Sequence, residues 1–410
     1  MDELNGRVVI VGAGQAGAQA AALLRQYGWT GPVSLIGDEP IAPYQRPPLS
    51  KAWLKGEADA DSLALKAADF YAEEGIDLRL NQHVTMIDRA ARTVSLDDGE
   101  TLGWDRLILA TGARARRLDV PGAALDGVMA LRSAADAEHL KLHLGPGRRL
   151  AVVGGGYIGL EAAASARALG SEVVVVEREA RLLARVARPE LSDFFQAYHA
   201  ARGVEFVLAG DVVGFEGRNG GVTAVLLADG RALGCDAALV GVGAIPNDEL
   251  ARGAGLDCAD GVVVDLAART SDPAISAIGD VTRRPSPLYA RMVRLESVPN
   301  ALEQAKHVAA DLCGRPPPAP EVPWFWSDQY DLKLQIAGLA FDVAEVLVRG
   351  DPAAARFAVF HLDAENRLQA VEAVNAPAEF MAGRMLIASR KPVAPAKLLD
   401  MSVSMKEVVA

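Results

Sequence analysis

Gly12-Ala13-Gly14-Gln15-Ala16-Gly17 and Gly154-Gly155-Gly156-Tyr157-Ile158-Gly159 share one spacing, with glycine at the first, third and sixth positions. Both stand in the same setting. Ahead of the first copy, residues 7–11 form a short apolar run that reads as a buried parallel strand. Behind it, residues 15–27 are rich in alanine and leucine and stop at Gly28, which reads as a helix with its C-terminal glycine. Residues 33–36 read as the next strand, which delivers the acidic pair Asp38-Glu39. The second copy repeats the plan: strand 150–153, a helix running to Leu169 with Gly170 as its stop, strand 172–176, then Glu177. In such a unit the first two glycines allow a tight turn and close approach of backbone to a pyrophosphate. The third lets the helix pack on the strand, the helix N-terminus faces the phosphates, and the acid accepts ribose hydroxyls. One copy is weak evidence. Two copies predict two bound dinucleotides, and therefore hydride transfer between them.

A second repeat supports the first. Asp98-Gly99 and Asp229-Gly230 each read as a hairpin turn, followed by an apolar strand (106–110 and 237–242) that ends in Gly112-Ala113 or Gly243-Ala244. The chain of 410 residues suits about two to four domains. Residues 1–113 and 245–322 are predicted to form one nucleotide domain, 114–244 the other, and 323–410 a C-terminal domain. The return to the first module is signalled by a strand closing at Ala277-Ile278-Gly279-Asp280 and a helix near residues 299–306. Residues 314–323, with five prolines, read as a stiff linker. Beyond it, the alternating runs 332–336 and 357–360 suggest a small antiparallel sheet, and 377–389 a helix.

The net charge of −11 argues against general nucleic-acid binding. No apolar run reaches the ~18 residues of a membrane helix. The first residues, Met1-Asp2-Glu3-Leu4-Asn5, lack the basic and apolar regions of a secretion signal, so a cytoplasmic location is expected. Cys235, Cys258 and Cys313 are odd in number and scattered, which fits free thiols. His139 and His143 have a metal-compatible spacing, but no third ligand is apparent and they are expected to be surface residues, with no metal site.

The segment Pro43-Tyr44-Gln45-Arg46-Pro47-Pro48-Leu49-Ser50-Lys51 carries a more specific signal than either glycine loop. It is joined by Ala110-Thr111-Gly112-Ala113, Gly155 through Glu161, Ala277 through Val281, Ser297-Val298-Pro299-Asn300-Ala301 and Trp324-Phe325-Trp326-Ser327-Asp328-Gln329. Together these residues resemble the FAD-dependent, NADH-linked ferredoxin reductases, which include the reductase components of aromatic-ring dioxygenases. The likeness runs over essentially the whole chain. It implies a glutathione-reductase-like α/β fold: two Rossmann-like dinucleotide-binding domains, for FAD and then NAD, plus a small C-terminal α+β domain. It also implies which residues bind. For FAD these are Gly14, Ala16 and Gly17 at the pyrophosphate with Gly12 in the same loop, Asp38 at the ribose, Lys51 near the flavin ring, Val84 and Arg132 toward the adenine, Asp280 on the ribityl chain, and the Val298 N–H at the pyrimidine edge. Arg46, Thr111 and Gly112 belong to the same implied cofactor set. Gly154, Gly156, Ile158, Gly159 and Gly243 are the NAD-side counterparts, with Trp326 bordering the site.

The resemblance puts Glu161 beside the nicotinamide and near Lys51, and we expect this pair to order hydride transfer rather than to act as acid or base. Glu177 occupies the ribose-reading position, where a carboxylate accepts a 2′-hydroxyl and repels a 2′-phosphate, which favours NADH although Arg178 and Arg185 follow. Disulfide reductases of this architecture need cysteines beside the flavin, and none occurs before Cys235. The expected acceptor is therefore external. A [2Fe–2S] ferredoxin serving a P450 or a ring-hydroxylating dioxygenase is the first reading, with a rubredoxin reductase, or an apoptosis-inducing-factor-like protein whose redox state controls binding, as alternatives. Arg283, Arg284, Arg291 and Arg294 against one acid, Glu296, suggest a basic rim for an acidic ferredoxin, with Arg114, Arg116 and Arg117 as further candidates.

Overall fold

A computed structural model describes residues 4–409; the first three residues of the N-terminal stretch lie outside it. By its internal contacts the chain divides into two compact units. One comprises Met1–Gln45, Ala60–Arg114 and Pro246–Phe325; the other comprises Arg46–Asp59, Ala115–Ile245 and Trp326–Ala410.

The first unit is built on a five-stranded parallel sheet in the order Ile275–Ala277, Arg106–Leu109, Val8–Val11, Val33–Ile36, Ile76–Arg79. Val8, Val9, Ile10 and Val11 are all buried, as a parallel strand covered on both faces requires. The helix Gln15–Gln26 follows, packed against the long helix Val298–Leu312. The return from residue 275 is thus a real sheet insertion, since Ile275–Ala277 pairs with Arg106–Leu109 in register.

The second unit repeats the design. Its parallel sheet runs Val204–Val207, Glu172–Val176, Arg149–Val153, Ala237–Val240, Val128–Met129, and the helix Tyr157–Ala168 follows the central strand. The central pairings correspond between units: Val11 opposes Ile36 and Val153 opposes Val176, each at the last step before its glycine loop. Both Asp-Gly turns close three-stranded antiparallel sheets, Val84–Asp88/Thr93–Leu96/Thr101–Gly103 in the first unit and Val212–Arg218/Gly221–Leu227/Ala232–Gly234 in the second.

The C-terminal residues form a five-stranded antiparallel sheet in the order Trp324–Gln329, Leu332–Gly338, Leu368–Val374, Arg356–Leu362, Glu345–Asp351. Leu368–Val374 is buried at every position because neighbouring strands flank it and the helix Pro377–Ser389 lies over it. No helix among the described residues is long and apolar enough to cross a membrane.

Candidate active site

The glycine loops can be tested for a phosphate by asking what a Cβ would meet. At Gly17 it would stand 2.0 Å from the carbonyl oxygen of Gly12, and at Gly159 it would stand 2.2 Å from that of Gly154. These third glycines admit no side chain, which lets helix and loop pack closely. At Gly14 and Gly156 a Cβ would meet nothing within 4 Å. The middle glycine of each loop therefore faces open space directly ahead of a helix. Neither helix has a side-chain cap or an acid in its first turn, so the leading N–H groups stay available to an anion. Gly12 and Gly154 have φ of +112° and +108°, the left-handed side that glycine tolerates. Both loops fit a pyrophosphate.

The surroundings of the first loop are held by polar contacts. Gly279 N–H donates to Gln304 Oε1 at 2.9 Å, and Thr282 Oγ donates to the same atom at 3.0 Å, fixing the short turn Gly279–Val281 that carries half-buried Asp280. Ser297 caps the helix Val298–Leu312 by accepting from Asn300 N–H, with Val298 its first residue. Thr111 Oγ1 donates to Asn247 O and Asn247 Nδ2 donates to Thr111 O, while Asn247 N–H donates to Gly112 O. Of the acidic pair, Asp38 is exposed, whereas Glu39 is half-buried and accepts from Tyr44 Oη at 2.7 Å. Val84 is buried at the start of its strand.

At the second loop, Glu177 accepts from Gly155 N–H at 2.7 Å and from Glu179 N–H at 2.9 Å. Two of its roughly four acceptor positions are thus used to fix the carboxylate. Arg178 is exposed beside Glu179, and the Arg185 guanidinium lies 3.5 Å from where a Gly243 Cβ would be. Ile158 is 47% exposed, an apolar side chain turned outward at the loop.

The strongest constellation lies at Glu161, in the second turn of the helix Tyr157–Ala168. Its carboxylate is buried. Oε2 receives the Lys51 ammonium at 2.6 Å and the Ser50 hydroxyl at 2.5 Å, and Oε1 receives the Ser327 hydroxyl at 2.6 Å. Lys51 also donates to Pro47 O at 3.0 Å, so the Pro47–Ser50 turn aims the lysine. Ser165, one turn along the Glu161 helix, donates to Ser50 O at 2.7 Å and ties that turn down. Arg46 donates to Arg132 O at 2.7 Å. Lys51 and Glu161 therefore meet, and Lys51 is no surface lysine, its side chain being 18% exposed. Trp326 is half-buried and precedes Ser327 in its strand, so its side chain takes the opposite face.

Two expectations need correction. Arg284 does not belong to a basic rim: it is buried and pairs with Glu303 at 3.1 Å, with His307 Nε2 3.6 Å from the same carboxylate. Arg294 is engaged by Asp260 and Glu296, and Arg283 lies 4.0 Å from Asp260, whereas Arg291 is exposed. The hairpin Thr282–Ser286/Arg291–Val293 turns alternate residues inward, which a charge count along the chain does not register. Second, a third potential ligand does stand by His139 and His143. Asp126 Oδ1 is 3.6 Å from His139 Nε2, and the three ligand atoms lie within 4.8 Å of one another, with Asp126 and His139 exposed and His143 half-buried.

The three free thiols are held in the protonated form by burial. Cys235 is buried and pushed up to about 11 by its burial, and burial likewise raises Cys258 and Cys313.

Residues 6–305 match the family model described as pyridine nucleotide-disulphide oxidoreductase, and residues 324–409 match the one described as reductase C-terminal. A probable ferredoxin reductase of Castellaniella defragrans is 52% identical, over 97% of this chain and 97% of its own. A rubredoxin-NAD(+) reductase of Pseudomonas putida is 42% identical, over 90% of this chain and 96% of its own. The crystal structure of the covalent putidaredoxin reductase–putidaredoxin complex superposes with a TM-score of 0.96 at 45% identity, covering 98% of each chain. With two glycine cradles and a reductase C-terminal region in place, the chain belongs to the pyridine nucleotide-disulphide oxidoreductase family and is an oxidoreductase that uses FAD and NAD(H).

Proposed function

We propose that this protein is an NADH-dependent reductase that passes electrons through FAD to a [2Fe–2S] ferredoxin serving a P450 or ring-hydroxylating oxygenase. The observation that carries the reading is the Lys51–Glu161 pair, held at 2.6 Å on the helix whose first residues form the second glycine cradle. When bound, the flavin supplies the conversion of a two-electron hydride into two single-electron deliveries. The residues supply position and charge. In this reading residues 1–113 and 245–322 form the FAD domain, 114–244 the NAD domain, and 323–410 the C-terminal domain.

Gly12, Gly14, Ala16 and Gly17 take the FAD pyrophosphate, Asp38 the ribose and Asp280 the ribityl chain. Val298, on a helix N-terminus, faces the flavin edge, where a positive dipole end favours negative charge. Lys51 lies toward the flavin ring. Gly154, Gly156, Ile158, Gly159 and Gly243 receive the NAD pyrophosphate and its flanks. Glu177, pinned by two backbone N–H groups, accepts the adenosine ribose and disfavours a 2′-phosphate. Glu161 holds Lys51 in place, so the pair orders the nicotinamide site without transferring a proton itself, and Trp326 borders that site. The absence of cysteine before Cys235 leaves the segment from Arg46 to Lys51 without a thiol, which supports an external acceptor.

Since ferredoxin and rubredoxin reductases both stand among the relatives, the partner is decided by assay. NADH–cytochrome c reduction that depends on added [2Fe–2S] ferredoxin supports the proposal. Dependence on rubredoxin overturns the partner, and negligible turnover with a long-lived NADH complex overturns the catalytic role.

A further inference from the structure

Glu161 is held by more than its lysine. Ser327, 1% exposed, spends its single hydroxyl hydrogen on Glu161 Oε1, because a carboxylate only accepts. Its remaining contact, Gln329 Nε2 at 3.1 Å, must then donate to the serine oxygen. This fixes the Gln329 amide with nitrogen toward Ser327 and oxygen away. That oxygen, Oε1, meets His199 Nε2 at 2.7 Å, so the imidazole carries its hydrogen on Nε2. Nδ1 is left as an acceptor, with the Tyr330 hydroxyl approaching at 3.5 Å.

Gln329 and His199 are buried, and burial pushes the imidazole down to about 4, opposed by the Gln329 bond and aided by the Arg202 charge. The ring is therefore neutral near pH 7 and keeps this one tautomer. Every donor in the series Tyr330, His199, Gln329, Ser327 points the same way and the series ends on the carboxylate. His199 lies on the helix Pro189–Ala200, while Ser327 and Gln329 lie on one face of the strand Trp324–Gln329.

We propose that Ser327, Gln329 and His199 are positioning residues, forming a one-way hydrogen-bond chain that fixes the Glu161 carboxylate and, through it, Lys51. The proposal rests on the reading of Lys51–Glu161 as the hydride-transfer site. A lone serine hydroxyl rotates freely. Because Gln329 occupies the serine oxygen, the hydroxyl hydrogen has one destination, which locks the carboxylate plane. His199 in turn stops the Gln329 amide from flipping. The charged and titratable groups facing the chain are Lys51 at one end and Arg202 and Tyr330 at the other.

The test uses the FAD-loaded protein and two readouts. The first is the rate of flavin reduction by NADH in anaerobic stopped flow. The second is the acylation rate of Lys51 relative to Lys55, mapped by mass spectrometry, which needs no turnover. Ser327→Ala should lower the limiting reduction rate by about tenfold, the scale of one hydrogen bond to a buried charge, while the half-saturating NADH concentration stays the same. The Lys51:Lys55 ratio should rise severalfold. Ser327→Thr, which keeps the hydroxyl, should recover most of both. Gln329→Leu and His199→Phe should move both readouts the same way, and His199→Gln, which can still donate, should recover toward the parent. Unchanged readouts in Ser327→Ala and Gln329→Leu, with Glu161→Gln still slow, overturn the chain alone. An unchanged rate in Glu161→Gln overturns the hydride-site reading beneath it.

Discussion

Replacing Gly156 and Gly159 one at a time by alanine separates what the fold needs from what the nucleotide needs. Gly156 has φ −83° and ψ 179°, an extended conformation open to any residue, and its Cβ would meet nothing within 4 Å. The folded chain loses nothing on Gly156→Ala. Restricting the unfolded chain should even add up to about 1 kcal/mol. The cost falls on the ligand, since the new methyl stands where backbone would approach the pyrophosphate. Losing one charge-assisted hydrogen bond there is worth about 1.5–3 kcal/mol, or roughly 10–150-fold in affinity. Gly159→Ala behaves differently, because its Cβ would lie 2.2 Å from Gly154 O and 3.1 Å from Val152 Cγ1. Backbone must shift, and overpacking of this kind costs about 1–3 kcal/mol. Calorimetric titration with NAD⁺ and urea unfolding of the same preparations give the two quantities. We expect Gly156→Ala to be as stable as the parent but weak in binding, and Gly159→Ala to be impaired in both. Binding by Gly156→Ala within twofold of the parent, or destabilisation equal to that of Gly159→Ala, would show that the middle glycine is not reserved for the nucleotide. Gly14→Ala and Gly17→Ala should show the same contrast toward FAD.

Three further outcomes follow from the ion pairs and buried groups. Burial would raise Glu303, but His307 and Arg284 outweigh it and hold its carboxyl below the ordinary value of 4.5. The folded form thus holds its proton less tightly than the unfolded one, so this stabilisation is full above about pH 4.5 and is lost as pH falls through the lower folded value; Arg284→Met should destabilise by about 3–5 kcal/mol at neutral pH in urea unfolding. His199 is driven to about 4 by burial, so the unfolded chain binds the extra proton between its ordinary 6.5 and 4. Stability should therefore fall by about 3 kcal/mol as pH drops across that window, and His199→Gln should abolish this part of the slope. Reversing the exposed charge in Arg291→Glu should raise KM for ferredoxin severalfold in low salt, with the difference shrinking at high salt, while flavin reduction by NADH is unaffected.

The nucleotide architecture was legible because its signals are local. The strands before Gly12 and Gly154 are continuous apolar runs, and the turns at Gly99 and Gly230 carry their own chemistry, so each element could be read within a window of about ten residues. The C-terminal helix Pro377–Ser389 was legible for the same reason. What escaped the sequence lies between distant residues. Ser50 and Ser327 reach Glu161 across 111 and 166 positions, and no periodicity marks either as its partner. His199 and Gln304 look like ordinary helical residues until their buried partners are seen. Arg284 was misread because a count of charges along the chain does not reveal that Glu303, on a later helix, neutralises it inside the protein. Asp126 joins His139 from outside that residue's own helix, which the i, i+4 spacing could not show.

Electrons delivered per NADH can be counted under anaerobic conditions. A limiting amount of NADH is mixed with catalytic FAD-loaded protein and excess oxidised [2Fe–2S] ferredoxin, and reduced cluster is measured against NADH consumed. A hydride carries two electrons and the cluster accepts one, so about two ferredoxins should be reduced per NADH. Consumption of NADH without cluster reduction, or no consumption at all, would contradict this.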